Sequence, residues 1–115
     1  MKQFEDLFIW SEARKIVNKI YKMMQSCKDF GFRDQIQRAA VSIMNNIAEG
    51  FCAGSDKLNV RYLYIARGSA GEVKSMTYLC QDFHFCTTEI AYQLRNELDR
   101  TMAGIRNMIT HLTRS

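Results

Sequence analysis

Cys80, His84 and Cys86 lie close together in the chain, and thiolate and imidazole are the ligand types that zinc prefers. Their spacing lacks the paired Cys-x-x-Cys knuckles of a structural zinc site, and no fourth ligand presents itself, so no metal is expected. Glu49 and Glu72 are the carboxylates that would have to serve as a general acid and base. No nucleophile, metal-binding histidine or substrate pocket accompanies them. A simpler role is an ion pair of Glu49 or Glu72 with Arg38 or Arg67 across two helices, which would fix their register. Gly68-Ser69-Ala70-Gly71 has the glycines of a phosphate-binding loop, but no strand precedes it and no Lys-Ser/Thr follows. A di-iron centre in a helical bundle needs Glu-x-x-His motifs, and the chain has none. His84 and His111 each stand alone, suited to solvent or a helix end. The residues therefore imply neither an enzyme nor a cofactor.

One set of side chains needs no pocket to act. Arg14, Lys15, Lys19 and Lys22 form a basic stripe along the first helix, with Asn18 among them. Repeated around a symmetric assembly, such a stripe would attract RNA or DNA by charge and avidity; an ordinary solvated face is the competing reading. The formal charge of +4 allows an anionic partner, yet the sixteen basic and twelve acidic residues are interspersed. A protein-interaction scaffold or adaptor with no nucleic-acid role is the alternative function.

The elements that would position these residues are helices. The chain has 115 residues, 47% of them hydrophobic, and no proline, which permits one domain over 1–115 with long uninterrupted helices. Apolar spacing of three and four predicts helices over about 6–26, 33–50, 56–84 and 88–112. Asp6, Ser55 or Asp56, and Thr87 or Thr88 are the expected N-caps, and Gly50 and Gly54 the expected stop of the second helix. Short connections then favour an all-α, up-down-up-down antiparallel bundle with left-handed packing.

The second helix carries two apolar stripes, one more than a single core requires. Ile36, Ala39, Ala40, Ile43 and Ile47 would face the core, while Val41, Met44 and Ala48 would meet another subunit together with Ile65 of the third helix. Arg38, Ser42, Asn45 and Glu49 form a polar strip between the stripes. On the third helix, Tyr62, Leu63, Ala66, Ser69, Ala70, Val73, Thr77 and Cys80 are expected inside, with Met76 on its side; on the fourth, Ile90 opens the inner row. Gly68 and Gly71 each cost about 1 kcal/mol inside a helix, so close approach of another backbone is expected there. Without a secretion signal the four cysteines are expected reduced, and without a long apolar run the protein is expected to be soluble and cytoplasmic, with no membrane contact.

Phe4-Glu5-Asp6-Leu7-x-x-Trp10, the run Gln35 to Phe51 (QIQRAAVSIMNNIAEGF), and Tyr62-Leu63-Tyr64-Ile65-Ala66-Arg67-Gly68-Ser69 with Glu72 carry a further signal. In order and spacing they resemble the four helix bundle protein family, also called ribosomal-protein-like or large-subunit rRNA intervening-sequence proteins. The resemblance implies a small bacterial homo-oligomer, a ring-shaped pentamer in related cases, akin to the accessory proteins of diversity-generating retroelements, which bind nucleic acid through basic surfaces. Its carried-over polar positions are Arg38, Asn46, Glu49, Arg67, Ser69 and Glu72. Two departures stand out. Relatives commonly place proline at the position of Met44, where it would kink the helix, and basic residues in the loop that here reads Cys52-Ala53-Gly54.

Overall fold

With no proline to interrupt the chain, three of its four helices start at a side-chain cap, at Asp29, Ser55 and Thr87, and left-handed residues follow two of them, at Gly54 and His84. The computed structural model describes residues 3–114. A single 3-10 turn, Phe4–Asp6, leads into α1 (Phe8–Met24), α2 (Phe30–Cys52), α3 (Asp56–Asp82) and α4 (Thr88–Thr113). The connections are short enough that successive helices run antiparallel, giving a four-helix bundle of 47 × 21 × 20 Å. Helix α3 alone, at ~1.5 Å per residue, spans nearly its whole length.

The core follows the apolar spacing. Ile16, Ile20 and Met24 of α1, Ile36, Ile43 and Ile47 of α2, Leu63 and Val73 of α3, and Leu94, Leu98 and Ile105 of α4 are fully buried. Two hydroxyls sit among them at no net cost in hydrogen bonds. Thr77 Oγ1 donates to the carbonyl of Lys74 at 2.6 Å, and Thr101 Oγ1 to that of Glu97 at 2.9 Å. Helices α2 and α3 share the largest interface and α1 and α4 the smallest. The buried alanines Ala39 and Ala40 on α2 and Ala66 and Ala70 on α3 leave room for the closer approach.

Several expectations are corrected. Asp6 does not cap α1: it lies in the 3-10 turn, and the N-cap is Leu7, whose side chain accepts nothing. Helix α1 ends at Met24, not at 26. Helix α2 begins at Phe30 rather than 33, because Asp29 Oδ1 accepts from the amide of Phe32 at 3.1 Å and so caps the helix. At the other end Gly50 does not stop α2, which continues to Cys52; the left-handed turn is at Gly54, with φ +87°. Ser55 and Thr87 are the caps of α3 and α4, accepting from Leu58 N at 3.2 Å and Ile90 N at 3.1 Å. Helix α3 ends at Asp82 and α4 at Thr113. Thr113 is thus ordered by its hydroxyl's bond to the Ile109 carbonyl, 2.9 Å, while Ser115 lies outside the described residues. Ile90 is 45% exposed instead of inward, and Met76 is buried instead of lateral.

The glycines exchange roles. A Cβ at Gly50 would lie 2.7 Å from Asn59 Oδ1, 3.0 Å from Tyr62 Cβ and 3.1 Å from the Asn59 carbonyl, so this is where two helices need a bare backbone. Gly68 and Gly71, expected to make such an approach, have no neighbour within 4 Å of their Cβ positions. At the C-terminus of α3 a non-glycine residue takes the left-handed position. His84 has φ 62°, its amide donates to the Gln81 carbonyl at 3.2 Å, and the amide of Phe85 donates to that of Cys80 at 2.8 Å. The turn is held by the mutual packing of Phe32, Phe83 and Phe85. Urea denaturation should therefore move in opposite directions for two single changes. Gly50→Ala is expected to lose about 1–3 kcal/mol by overpacking, and His84→Gly to gain about 0.5–1 kcal/mol by relieving the left-handed backbone.

Candidate functional site

Along the outer edge of the α2–α3 seam, polar side chains one or two turns apart meet across the helices. Gln35 Nε2 donates to Glu72 Oε2 at 3.2 Å, and Ser42 Oγ and Ser69 Oγ share a hydrogen bond of 2.8 Å. Asn46 Nδ2 donates to the Ser42 carbonyl at 2.8 Å and to its Oγ at 3.0 Å. The spacing Gln35, Ser42, Glu49 is the heptad that keeps one edge of α2 facing one neighbour. Of the polar positions anticipated from sequence, Asn46, Ser69 and Glu72 are therefore on this ladder. Arg38, Glu49 and Arg67 are exposed and, among the described residues, take part in no ion pair within the chain. Glu49 and Glu72 are not brought together: Glu72 reaches Gln35, about 21 Å down α2 from Glu49.

Half of the basic stripe of α1 is matched by carboxylates. Lys15 Nζ is 3.4 Å from Glu12 Oε2, and Arg100 reaches the other oxygen of the same carboxylate at 3.1 Å. Lys19 is paired with Glu97 of α4. Arg14 lies over the Trp10 ring, 5.7 Å from its centroid, and keeps its charge exposed. Lys22 has no ion pair among the described residues and lines an open groove of about 730 Å³ between α1 and α2, with Asn18, Tyr21, Gln25, Arg33 and Gln37. Lys15 and Lys19 thus offer less free charge than the sequence stripe suggests. The Glu12–Lys15 pair could be read from its i, i+3 spacing, but Lys19–Glu97 depends on how α1 and α4 are aligned.

The anticipated contact residues fall on two flanks. Val41, Met44 and Ala48 are half-buried, on the side of α2 that continues from Gln37 toward α1. Ile65 is 47% exposed on the opposite flank, where Leu58, Leu79 and Phe83 of α3 are exposed as well. Four tyrosines, Tyr21, Tyr64, Tyr78 and Tyr92, are exposed, and the sequence had suggested a binding role for none of them. For Tyr64 and Tyr78 the signal is the seven-residue interval of Tyr64, Gly71 and Tyr78 along α3.

At the end of the bundle where α1 and α3 finish, Cys80 and Cys27 are buried and Cys86 is half-buried, whereas Cys52, at the far end of α2, is exposed. Burial pushes the Cys80 thiol up to about 12, with the neighbouring Cys86 and Cys27 thiols adding to the effect. His84 points to solvent from the left-handed turn, so Cys80, His84 and Cys86 do not converge. Among the described residues no cluster of His, Cys, Asp or Glu is arranged to hold a metal ion, and no helix is long and apolar enough to cross a membrane.

The family model described as 23S rRNA-intervening sequence protein matches residues 5–107, a span that contains all four helices but the last turns of α4. The chain belongs to this family. A solved structure from Bacteroides thetaiotaomicron, a protein of unknown function from the S23 ribosomal protein family, superposes with a TM-score of 0.81 at 24% identity. The match covers 88% of this chain and 97% of that one, which establishes the shared fold. No curated protein matches.

In this 23S rRNA-intervening sequence family member, the motif residues of α2 and α3 divide between core and seam. Ile36, Ala39, Ala40, Ile43 and Ile47 form the core, and Gln35, Ser42, Asn46, Ser69 and Glu72 form the ladder. A double-mutant cycle on Ser42→Ala and Ser69→Ala, followed by urea denaturation, should give a coupling of about 0.5–1.5 kcal/mol. Additive losses would show that the two hydroxyls do not act as a pair.

Proposed function

We propose that this chain is a homo-oligomeric, non-catalytic accessory protein that binds RNA or DNA through exposed basic side chains. The observation that carries the assembly is the outer side of α3, where Leu58, Ile65, Leu79 and Phe83 are exposed although each would be stabilised by burial. An apolar row along a helix that already has a core face supports a partner of similar character, and a second copy supplies one. The half-buried Val41, Met44 and Ala48 on the far flank of α2 are the candidate reciprocal contact, an arrangement in which head-to-tail contacts close a ring. A pentamer is the ring implied by the resemblance described above. Arg38 and Glu49, exposed and without ion pairs inside the chain, are available to fix register between copies.

Nucleic acid is supported by the positive balance of the chain and by the family's description, which ties it to intervening sequences of 23S rRNA. On α1 the candidate contacts are Arg14 and Lys22, with Lys15 and Lys19 partly offset by their carboxylates. Symmetric repetition would raise the effective charge presented to a polyanion. A protein-interaction scaffold with no nucleic-acid role is the second reading, favoured by the same apolar row on α3.

Light scattering and an RNA salt titration together test this. Ile65→Glu should leave helical content intact and reduce the mass, because Ile65 contributes nothing to the core but would bury an unpaired charge between copies. Affinity for RNA should fall steeply with salt, as counterion release requires. An unchanged mass removes this side of α3 as the interface, and binding that is absent at low salt, or present without a salt slope, removes the electrostatic reading.

A further inference from the structure

Helix α3 has a third side, turned toward the rim of α4, that neither the core nor the apolar row uses. It presents Lys57, Tyr64, Gly71 and Tyr78 at intervals of seven residues, with Arg67 and Lys74 between them. Contacts with α4 set the register. The Arg95 guanidinium lies 4.1 Å over the Tyr78 ring, and Lys74 is paired with Asp99 at 2.7 Å. Because the helices are antiparallel, extending this register two turns by helix geometry would set Gly71 level with Met102 and Arg67 level with Arg106.

That last rung differs from its neighbours. Lys74 has a carboxylate, whose hydrogen bond raises the ammonium pKa, but Arg67 and Arg106 are both exposed and form no ion pair among the described residues. Two guanidinium groups at the same level of adjoining helices, with no carboxylate paired to either, favour an anion between them. Arg95 also keeps its charge, since its hydrogen bonds go to the neutral Thr77 Oγ1 at 3.4 Å and Gln81 Oε1 at 3.1 Å. Between the rungs Gly71 leaves open backbone, with no atom within 4 Å of its Cβ position. Tyr64 and Tyr78, about 21 Å apart along α3, are 54% and 51% exposed, and Tyr92 on α4 is 60% exposed.

From this arrangement we infer that the α3–α4 face is a binding track for single-stranded RNA. Arg67 and Arg106 clamp a backbone phosphate, Arg95 contributes a second positive contact, and Tyr64 and Tyr78 stack unpaired bases across the space left open at Gly71. Charge complementarity selects a polyanion, and exposed flat rings beside the arginines select one with accessible base faces over a duplex or an acidic polypeptide. The inference rests on the nucleic-acid reading above and relocates its principal surface from α1 to α3 and α4.

The test is fluorescence anisotropy with a labelled single-stranded RNA oligonucleotide over a range of salt, using folded variants of unchanged assembly mass. Arg67→Gln with Arg106→Gln should weaken binding about tenfold and flatten the salt slope by about 1–2. Tyr64→Ala should weaken it about fivefold or more with the slope unchanged, and Tyr64→Phe should restore it. Lys15→Gln with Lys19→Gln and Lys22→Gln, on the secondary surface, should weaken binding less than the α3–α4 arginine changes do. If affinity is lost in the α1 variant and kept in the α3–α4 variant, this surface is wrong and the nucleic-acid reading stands. If the unaltered protein binds no RNA at low salt, both fall. Equal competition by duplex RNA or by polyglutamate overturns the stacking track, as does a drop in assembly mass caused by the arginine changes.

Discussion

The close packing of α2 against α3 is the constraint on which the rest of the molecule depends. It is made possible by what is missing from the side chains: buried alanines on both helices, and Gly50, where even a methyl group would collide with Asn59 and Tyr62. That approach brings Ser42 within 2.8 Å of Ser69 and Gln35 within 3.2 Å of Glu72, so the seam is closed outside by hydrogen bonds and inside by apolar packing. Helices α1 and α4 then cover the two sides of this pair, and their own contact is the smallest in the bundle.

With α2 and α3 fixed as a unit, the surplus character of α3 becomes meaningful. A helix inside a monomeric bundle needs one apolar side, and α3 has its core side, a second apolar row toward the α2 rim, and a basic, tyrosine-bearing side toward α4. The ion pairs are distributed unevenly to match. Carboxylates offset Lys15, Lys19, Lys74 and Arg100, whereas Arg38, Arg67 and Arg106 are left without one among the described residues. The α1 stripe that the sequence makes conspicuous is thereby reduced to Arg14 and Lys22, while Arg67 and Arg106 keep unpaired charge on α3 and α4.

Helix number, helix order and most core positions were legible because apolar spacing reports directly on which side of a helix is dry. Caps were legible to within one residue where Ser or Thr preceded the helix, as at Ser55 and Thr87. Asp29 was missed because Gly31 two residues later reads as a breaker, although an exposed glycine in a first turn costs little. Glycine was the weakest guide: Gly50 reads as a stop but is a contact, while Gly68 and Gly71 read as contacts but face open space. Sequence shows that a side chain is absent, not which neighbour needs it absent. Cross-helix partners such as Lys19 with Glu97 and Arg95 with Tyr78 were likewise hidden, since they depend on the register between helices. Gln35, Ser42, Asn46, Ser69 and Glu72 were visible as a pattern, but the hydrogen bonds among them emerged only with the α2–α3 alignment.

The central claim is that α3 commits its two outer sides to two different partners, a second copy and a polyanion. Hydroxyl-radical footprinting of the native protein, read residue by residue by mass spectrometry, tests it most directly. The account predicts that Ile65, Leu79 and Phe83 are protected in the protein alone, while Tyr64 and Tyr78 react freely and become protected only when single-stranded RNA is added. Oxidation of Ile65, Leu79 and Phe83 at the rates of fully accessible side chains, with the tyrosines indifferent to RNA, would contradict it.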